Sequence, residues 1–199
     1  MLSATDRFKK RFFDIILSVV GISLTWWLML LAWIIASVET KSNGLFMQKR
    51  IGRNGKPFFI LKIKSMKPTN GIDTTVTTSN DSRITKSGTF FRKTKIDELP
   101  QLFNVIFGTM SFVGPRPDVP GFADKLVGED RVILSVRPGI TGPASLKYKN
   151  EEEVLAKQKD AQRYNKEVIW PDKVQINKTY IKEWTLKKDI EYILRTIAG

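Results

Sequence analysis

Read from the N-terminus, the chain is basic and polar at first. It carries no charge from residue 15 to 38, and beyond that short apolar runs alternate with polar turns. The uncharged run, IILSVVGISLTWWLMLLAWIIASV, holds about 24 residues, so as a helix it is roughly 36 Å long and matches a bilayer. It exceeds the ~7–15 apolar residues of a signal peptide, and no small-residue cleavage site follows it. Arg7, Lys9, Lys10 and Arg11 precede the run, and Lys41, Lys49, Arg50, Arg53 and Lys56 follow it. Cations on both flanks give a single span no clear orientation, whereas a re-entrant helix keeps both flanks on the anionic cytoplasmic surface. Both arrangements fit the residues. The cost of moving four cations against the membrane potential, about 2.3 kcal/mol per charge per 100 mV, tips the expectation to re-entry. Gly21, Ser23 and Thr25 then predict a break in the helix between Gly21 and Trp27. Phe12, Phe13, Trp26, Trp27 and Trp33 are candidate interfacial anchors.

The pattern divides the chain into a membrane segment, residues 1–40, and one compact catalytic or binding unit, residues 41–199. The run FFILKI after the turn Gly52-Arg53-Asn54-Gly55-Lys56-Pro57 predicts a hairpin strand. The stretch 67–87 is polar and predicts a mobile surface loop. Helical spacing recurs at 97–107, 122–136, 151–168 and from 174 to the C-terminus. The expected fold class is mixed α/β, mainly helical with short strands. Residues 173–195 predict an amphipathic helix lying on lipid, with Ile176, Tyr180, Ile181, Trp184 and Ile193 on its apolar side.

Composition narrows the chemistry. Thirty-three Lys and Arg against twenty Asp and Glu give a net charge of +13, and the chain has neither His nor Cys. Cys/His zinc sites, thiol nucleophiles, disulfides and His-based triads are therefore excluded, leaving carboxylates, hydroxyls, Lys, Arg and hard metal ions. An apolar fraction of 42% with five Trp and twelve Phe excludes a disordered basic tail. The positive charge beside a membrane segment points to anionic lipid, and nothing resembles a nucleic-acid recognition helix. A non-catalytic, membrane-tethered lipid binder is the alternative from a different functional class.

The sharpest local signal is Arg92-Lys93-Thr94-Lys95-Ile96-Asp97-Glu98-Leu99-Pro100-Gln101-Leu102-Phe103-Asn104. Pro100 fixes a helix start, placing Asp97 at or beside the N-cap, with Leu99, Leu102, Phe103 and Ile106 on one apolar face and Gly108 at the end. Paired carboxylates among cations at a helix start suit a metal ligand or a nucleophile toward phosphorus. The run Gly114-Pro115-Arg116-Pro117 offers a guanidinium from a stiff loop. The run Arg137-Pro138-Gly139-Ile140-Thr141-Gly142-Pro143 repeats the design, with glycines that let backbone N–H groups approach an anion.

With these motifs in order, together with Lys10-Arg11-Phe12-Phe13-Asp14, Gln48-Lys49-Arg50-Ile51-Gly52, Lys62-Ile63-Lys64-Ser65-Met66 and Asp81-Ser82-Arg83-Ile84-Thr85, the chain resembles the monotopic phosphoglycosyl transferases nearly end to end. The resemblance implies a re-entrant membrane helix and a catalytic domain on the cytoplasmic face of the bacterial inner membrane. It also implies Mg²⁺ and transfer of a sugar 1-phosphate from a UDP-sugar to polyprenyl phosphate by way of a phospho-sugar aspartate. By position it makes Asp97 the nucleophile and Mg²⁺ ligand and Glu98 its partner, available as a base. It makes Arg92, Arg116 and Arg137 phosphate binders and assigns Gln48, Arg50, Lys62, Gly139 and Thr141 to substrate binding. Three positions depart from the family pattern. The usual helix-breaking Ser-Pro is replaced near Trp26-Trp27, Thr109 stands where Asp is usual, and Pro143-Ala144-Ser145 replaces Trp-Ala-Gln.

Overall fold

The computed structural model describes residues 2–67 and 83–198, so most of the polar stretch at 67–87, and with it Asp81 and Ser82, lies outside the described residues. Helix α1 (Ala4–Thr40) opens on a capping box in which the Ser3 hydroxyl accepts from the Asp6 N–H at 3.1 Å while Asp6 accepts from the Ser3 N–H. It closes at Lys41 in a left-handed conformation, φ 49°. Its buried residues, including Lys10, Asp14, Ser18, Ala32, Ala36 and Thr40, recur at helical spacing and form one face. The opposite face exposes Val19, Leu24, Trp26, Trp27 and Leu30. This inverts a soluble core helix: the face turned to protein is small and polar, and the free face is large and apolar, as expected of a helix with lipid on one side.

The predicted break at Gly21–Trp27 is absent, and α1 is helical throughout. Thr25 does bond back to the Gly21 carbonyl at 2.7 Å, yet the ladder continues. Gly21 serves close packing, since a Cβ there would stand 3.1 Å from Leu102 Cδ1. Both ends of α1 are fastened to the same body. Leu2 joins a core with Ile51, Val113, Ile133 and Tyr180, and Ala32 and Ala36 pack with Ile63 and Phe91. Glu39 accepts from the Ser87 N–H and hydroxyl.

Strands β1 (Leu45–Ile51) and β2 (Pro57–Ile63) form the expected hairpin, turning through a 3₁₀ segment, Arg53–Gly55, with Asn54 and Gly55 at positive φ. The register places Phe46 opposite Lys62, Gln48 opposite Ile60 and Arg50 opposite Phe58, so Gln48, Arg50 and Lys62 share one face. Helix α2 (Lys86–Thr94) is capped by the Thr85 hydroxyl, which accepts from the Gly88 N–H. A 3₁₀ turn (Ile96–Glu98) and the short α3 (Gln101–Ile106) follow. Strands β3 (Ser111–Val113) and β4 (Gly139–Thr141) pair in parallel.

The expected helix at 122–136 is two 3₁₀ segments, Ala123–Lys125 and Gly128–Ser135, with Gly121 and Gly128 at positive φ interrupting an α-helix. Helices α4 (Pro143–Lys147), α5 (Glu151–Ala156) and α6 (Ala161–Tyr164) lead into a π turn, Asn165–Ile169. Pro171 has no N–H for the Glu167 carbonyl, and the widened turn just before it accommodates that gap. The C-terminal segment is two helices, α7 (Trp170–Lys182) and α8 (Leu186–Ala198), not one. Thr185 starts α8 by accepting from the Lys188 N–H. The predicted lipid face is corrected as well. Tyr180 and Ile181 are core residues and Trp184 and Ile193 pack on that core, while the exposed stripe is Ile190, Leu194 and Ile197. Residues spaced for one apolar face can meet either lipid or protein, and here the protein core claimed them.

Candidate active site

Lys95, in a left-handed conformation at φ 60°, ends α2 and turns the chain into the 3₁₀ segment that carries Asp97 and Glu98. Pro100, not Asp97, is the cap of α3, with no side-chain cap bond. Asp97 is buried, and its Oδ1 has no hydrogen-bond partner among the described residues. The expected capping role is therefore absent, because the extra 3₁₀ turn separates Asp97 from the helix start. A buried, unsatisfied carboxylate oxygen is costly and marks a place where a ligand is expected.

Glu98 is held in the opposite way. Lys62 Nζ donates to its Oε1 at 2.8 Å, and Arg116 Nη2 stands 3.8 Å from the same atom. Burial alone would raise the Glu98 carboxyl, but Lys62 and Arg116 hold it down to about 2. Asp97 goes the other way, pushed up to about 6 by burial first and then by the Glu98 charge, against the pull of Lys62, Lys95 and Arg92. The two adjacent carboxylates are thus separated in proton affinity, with Glu98 held as the anion and Asp97 the more basic of the pair.

Prolines bracket Arg116 as expected, and each carbonyl is engaged. Pro115 accepts from the Gly139 N–H at 2.8 Å, and Pro117 accepts from Arg50 Nη1 at 3.2 Å. Arg50 also donates to Gln48 Oε1 through Nε and Nη2. Its guanidinium is lowered from its ordinary value by burial and by the neighbouring Arg116 charge. The hairpin face and the proline loop thus converge on the dyad, bringing together Gln48, Arg50, Lys62, Arg92, Asp97, Glu98 and Arg116.

Three predicted residues fall elsewhere. The Gly139 N–H is spent on Pro115, the Thr141 hydroxyl pairs with that of Thr196 at 2.6 Å, and Arg137 Nε donates to the Gly108 carbonyl at 2.7 Å. The glycines of this run permit close strand packing instead of an open anion nest: a Cβ on Gly139 would collide with the Gly114 nitrogen, and Gly114 N–H donates to Thr141 O at 2.9 Å.

Asn104 and Asp118 were not singled out from sequence. Asn104 clamps the outer edge of β2, donating to Phe59 O at 2.8 Å and accepting from the Leu61 N–H at 2.9 Å, one residue from Lys62. Thr109, at a position of departure from the family, accepts from Asn104 Nδ2 at 3.2 Å and so supports that clamp. Asp118 lies beside Arg50, Arg116 and Lys173, with its carboxyl pushed up to about 7 by burial despite those cations. An acid two residues beyond a proline-bracketed Arg was the available signal.

The chain matches the bacterial sugar transferase family over residues 5–199, and it belongs to that family. It is 35% identical over 203 residues, 98% of its length, to a UDP-glucose:undecaprenyl-phosphate glucose-1-phosphate transferase of Escherichia coli strain K12, covering 41% of that protein. It is 34% identical over 196 residues to a protein of the same name from Caulobacter vibrioides, with 96% of this chain and 69% of that one covered. An undecaprenyl-phosphate galactose phosphotransferase of Salmonella typhimurium is 32% identical over 210 residues, 96% of this chain and 40% of that one. The chain thus spans about two-fifths of the longer relatives.

Proposed function

We propose that this protein transfers a sugar 1-phosphate from a UDP-sugar to a polyprenyl phosphate such as undecaprenyl phosphate, with Asp97 as nucleophile. The observation that carries the reading is the buried, unpartnered Oδ1 of Asp97 beside an ion-paired Glu98. In the first step an Asp97 oxygen attacks the phosphorus next to the sugar. A phosphorus–oxygen bond to aspartate forms, the one to UMP breaks, and UMP leaves with the electron pair. In the second, an oxygen of the lipid phosphate attacks the same phosphorus and Asp97 departs as carboxylate, leaving a lipid diphosphate sugar. Arg116, Arg92 and Lys62 supply positive charge where the equatorial oxygens gain negative charge. The relatives' names include both glucose and galactose, so the sugar is a matter for a donor panel.

Mg²⁺ fits the donors present: one free carboxylate oxygen on Asp97, with Glu98 already neutralised by Lys62, matches an ion that takes one or two carboxylates together with substrate phosphates. Asp97 would hold it, and when bound it offsets charge on the diphosphate. UMP release by the detergent-solubilised protein from a panel of UDP-sugars with Mg²⁺ tests the function; no release from any of them contradicts it.

The proton affinities give a further expected result. Asp97 attacks only when ionised, so kcat/KM for the donor should rise about tenfold per pH unit up to about 6 and level off above. Because the Glu98 charge raises Asp97, Glu98→Gln should move that limb to lower pH. A limb that stays in place would contradict the assignment.

Both ends of α1 are bound to one body, which supports placing them on one side of the membrane with the apolar face of α1 embedded. Cysteines introduced at the exposed Thr5 and Lys159 should label from the same face of sealed vesicles with an impermeant thiol reagent. Labelling from opposite faces would sink this topology and leave the chemistry standing.

A further inference from the structure

A second group of cations lies at the far end of α3 from the dyad, where α1 begins. A cavity of about 20 Å³ is lined there by Arg7, Lys10, Asp14, Arg53, Ser111 and Arg137, among others. Several of these are fixed in place. Lys10 Nζ donates to Asp189 Oδ2 at 2.5 Å, and Asp14 Oδ1 accepts from Ser111 Oγ and the Phe112 N–H at 3.1 and 3.0 Å. Behind the cavity, the guanidinium of Arg11 donates to Val105 O and Ile106 O, and Arg137 donates to Gly108 O, so the carbonyls that end α3 aim both side chains.

The charges do not balance. Among the described residues the cavity lining and the side chains behind it bring Arg7, Lys10, Arg11, Arg53 and Arg137 together with two carboxylates: Asp189 is paired with Lys10, and Asp14 is engaged through Oδ1 while its Oδ2 is buried without a partner. Among the described residues the side chains of Arg7 and Arg53 make no hydrogen bond or ion pair. Arg137 is lowered from its ordinary value by burial and then by Arg53 and Arg11, with Asp14 pulling the other way, the direction expected for crowded cations. The cluster also has a defined position relative to lipid. Phe8 and Phe12, stacked at 6.4 Å between centroids and exposed, extend the free apolar face of α1 to this level. Lys10 and Arg11 turn the other way onto protein partners, while Arg7 lines the cavity from an exposed position. A headgroup beside the end of the embedded helix is therefore within reach of the Arg7 side chain at the rim.

We propose that this cradle is a second, non-catalytic anion site that binds a phosphate group, with Arg7 and Arg53 as its free ligands and Arg137 as a fixed one. The matching chemistry is a phosphate whose oxygens accept from guanidinium forks, supplied by an anionic phospholipid headgroup or by free phosphate. The site rests on the membrane placement of α1 and not on the transfer reaction. It also gives Arg137 a role apart from the donor diphosphate.

The full chain in nanodiscs separates the sources. Discs of phosphatidylcholine alone, discs containing phosphatidylglycerol, and phosphatidylcholine discs with added inorganic phosphate are compared by thermal unfolding and by lipid retained in native mass spectra. Wild type should unfold at higher temperature with phosphatidylglycerol and retain it selectively. Arg7→Gln with Arg53→Gln should lose retention by roughly 5-fold for each charge removed. Lys157→Gln with Lys159→Gln, an equal charge change on an exposed helix end, should keep it. A rise produced by inorganic phosphate, and lost in the Arg variant, assigns the same site to a free ion. If the two double variants respond alike, or neither ligand distinguishes wild type from the Arg variant, the site is overturned. Unchanged UMP release by the Arg variant in phosphatidylcholine discs verifies that it is folded.

Discussion

Asp97→Asn should abolish turnover, by on the order of 10⁴-fold or more, because an amide cannot attack phosphorus as an anion and no other described carboxylate is free at that position. The fold should survive. Asp97 makes no capping bond to lose, and its Oδ1 has no partner. The sign of the stability effect follows from its raised proton affinity. With its carboxyl raised from the ordinary 3.8 to about 6, the folded state holds a proton more tightly than the unfolded chain, so burying the ionised form destabilises the protein increasingly as pH rises through that window. Above pH 6 the neutral amide removes this cost, and the variant should melt at or slightly above the wild-type temperature. A variant that is well folded and retains activity within tenfold would end the assignment of Asp97 as nucleophile.

Lys62→Met should have the second largest effect, and on both activity and stability. Lys62 is the cation that acts most strongly on both carboxylates and the direct partner of Glu98, in a pair whose side chains are both largely buried. Removing one member of such a pair leaves a buried charge, at a cost of about 3–5 kcal/mol. The catalytic loss should be on the order of 10²–10³-fold, as for a preorganised group that stabilises developing negative charge. The double variant with Glu98→Gln separates the two effects. Stability should return in part, since the orphaned charge is gone, while turnover should stay low. Full recovery of activity in the double variant would reduce Lys62 to a structural partner.

Much of this site was legible in the sequence because local chemistry is strong there. Pro100 and the cations ahead of Asp97 set the dyad apart, and the prolines around Arg116 announced a rigid guanidinium. Gln48 and Arg50 were assigned through the family resemblance alone, and it is the hairpin register that puts them on one face. Where the reading failed, tertiary partners had decided the matter. Phe103 fits the apolar spacing of α3, yet it is about one-third exposed and stacked on Phe107, while Gln101 and Asn104 are buried. In so short a helix the buried face is set by Gly21 of α1 on one side and the edge of β2 on the other. The glycines around Gly139 look the same in sequence whether they open toward an anion or let two strands approach. Gly21 likewise marked a break by propensity but serves a close contact, because the body of the protein covers that face of the helix.

The most direct measurement is the intact mass of the protein after mixing with its UDP-sugar and Mg²⁺ in the absence of lipid acceptor. The account predicts a mass increase of one sugar phosphate per chain, matched by one equivalent of UMP, discharged on adding polyprenyl phosphate and absent in Asp97→Asn. UMP formed only when both substrates are present, with no adduct on the wild-type chain under trapping conditions, would contradict it and place the transfer in a ternary complex.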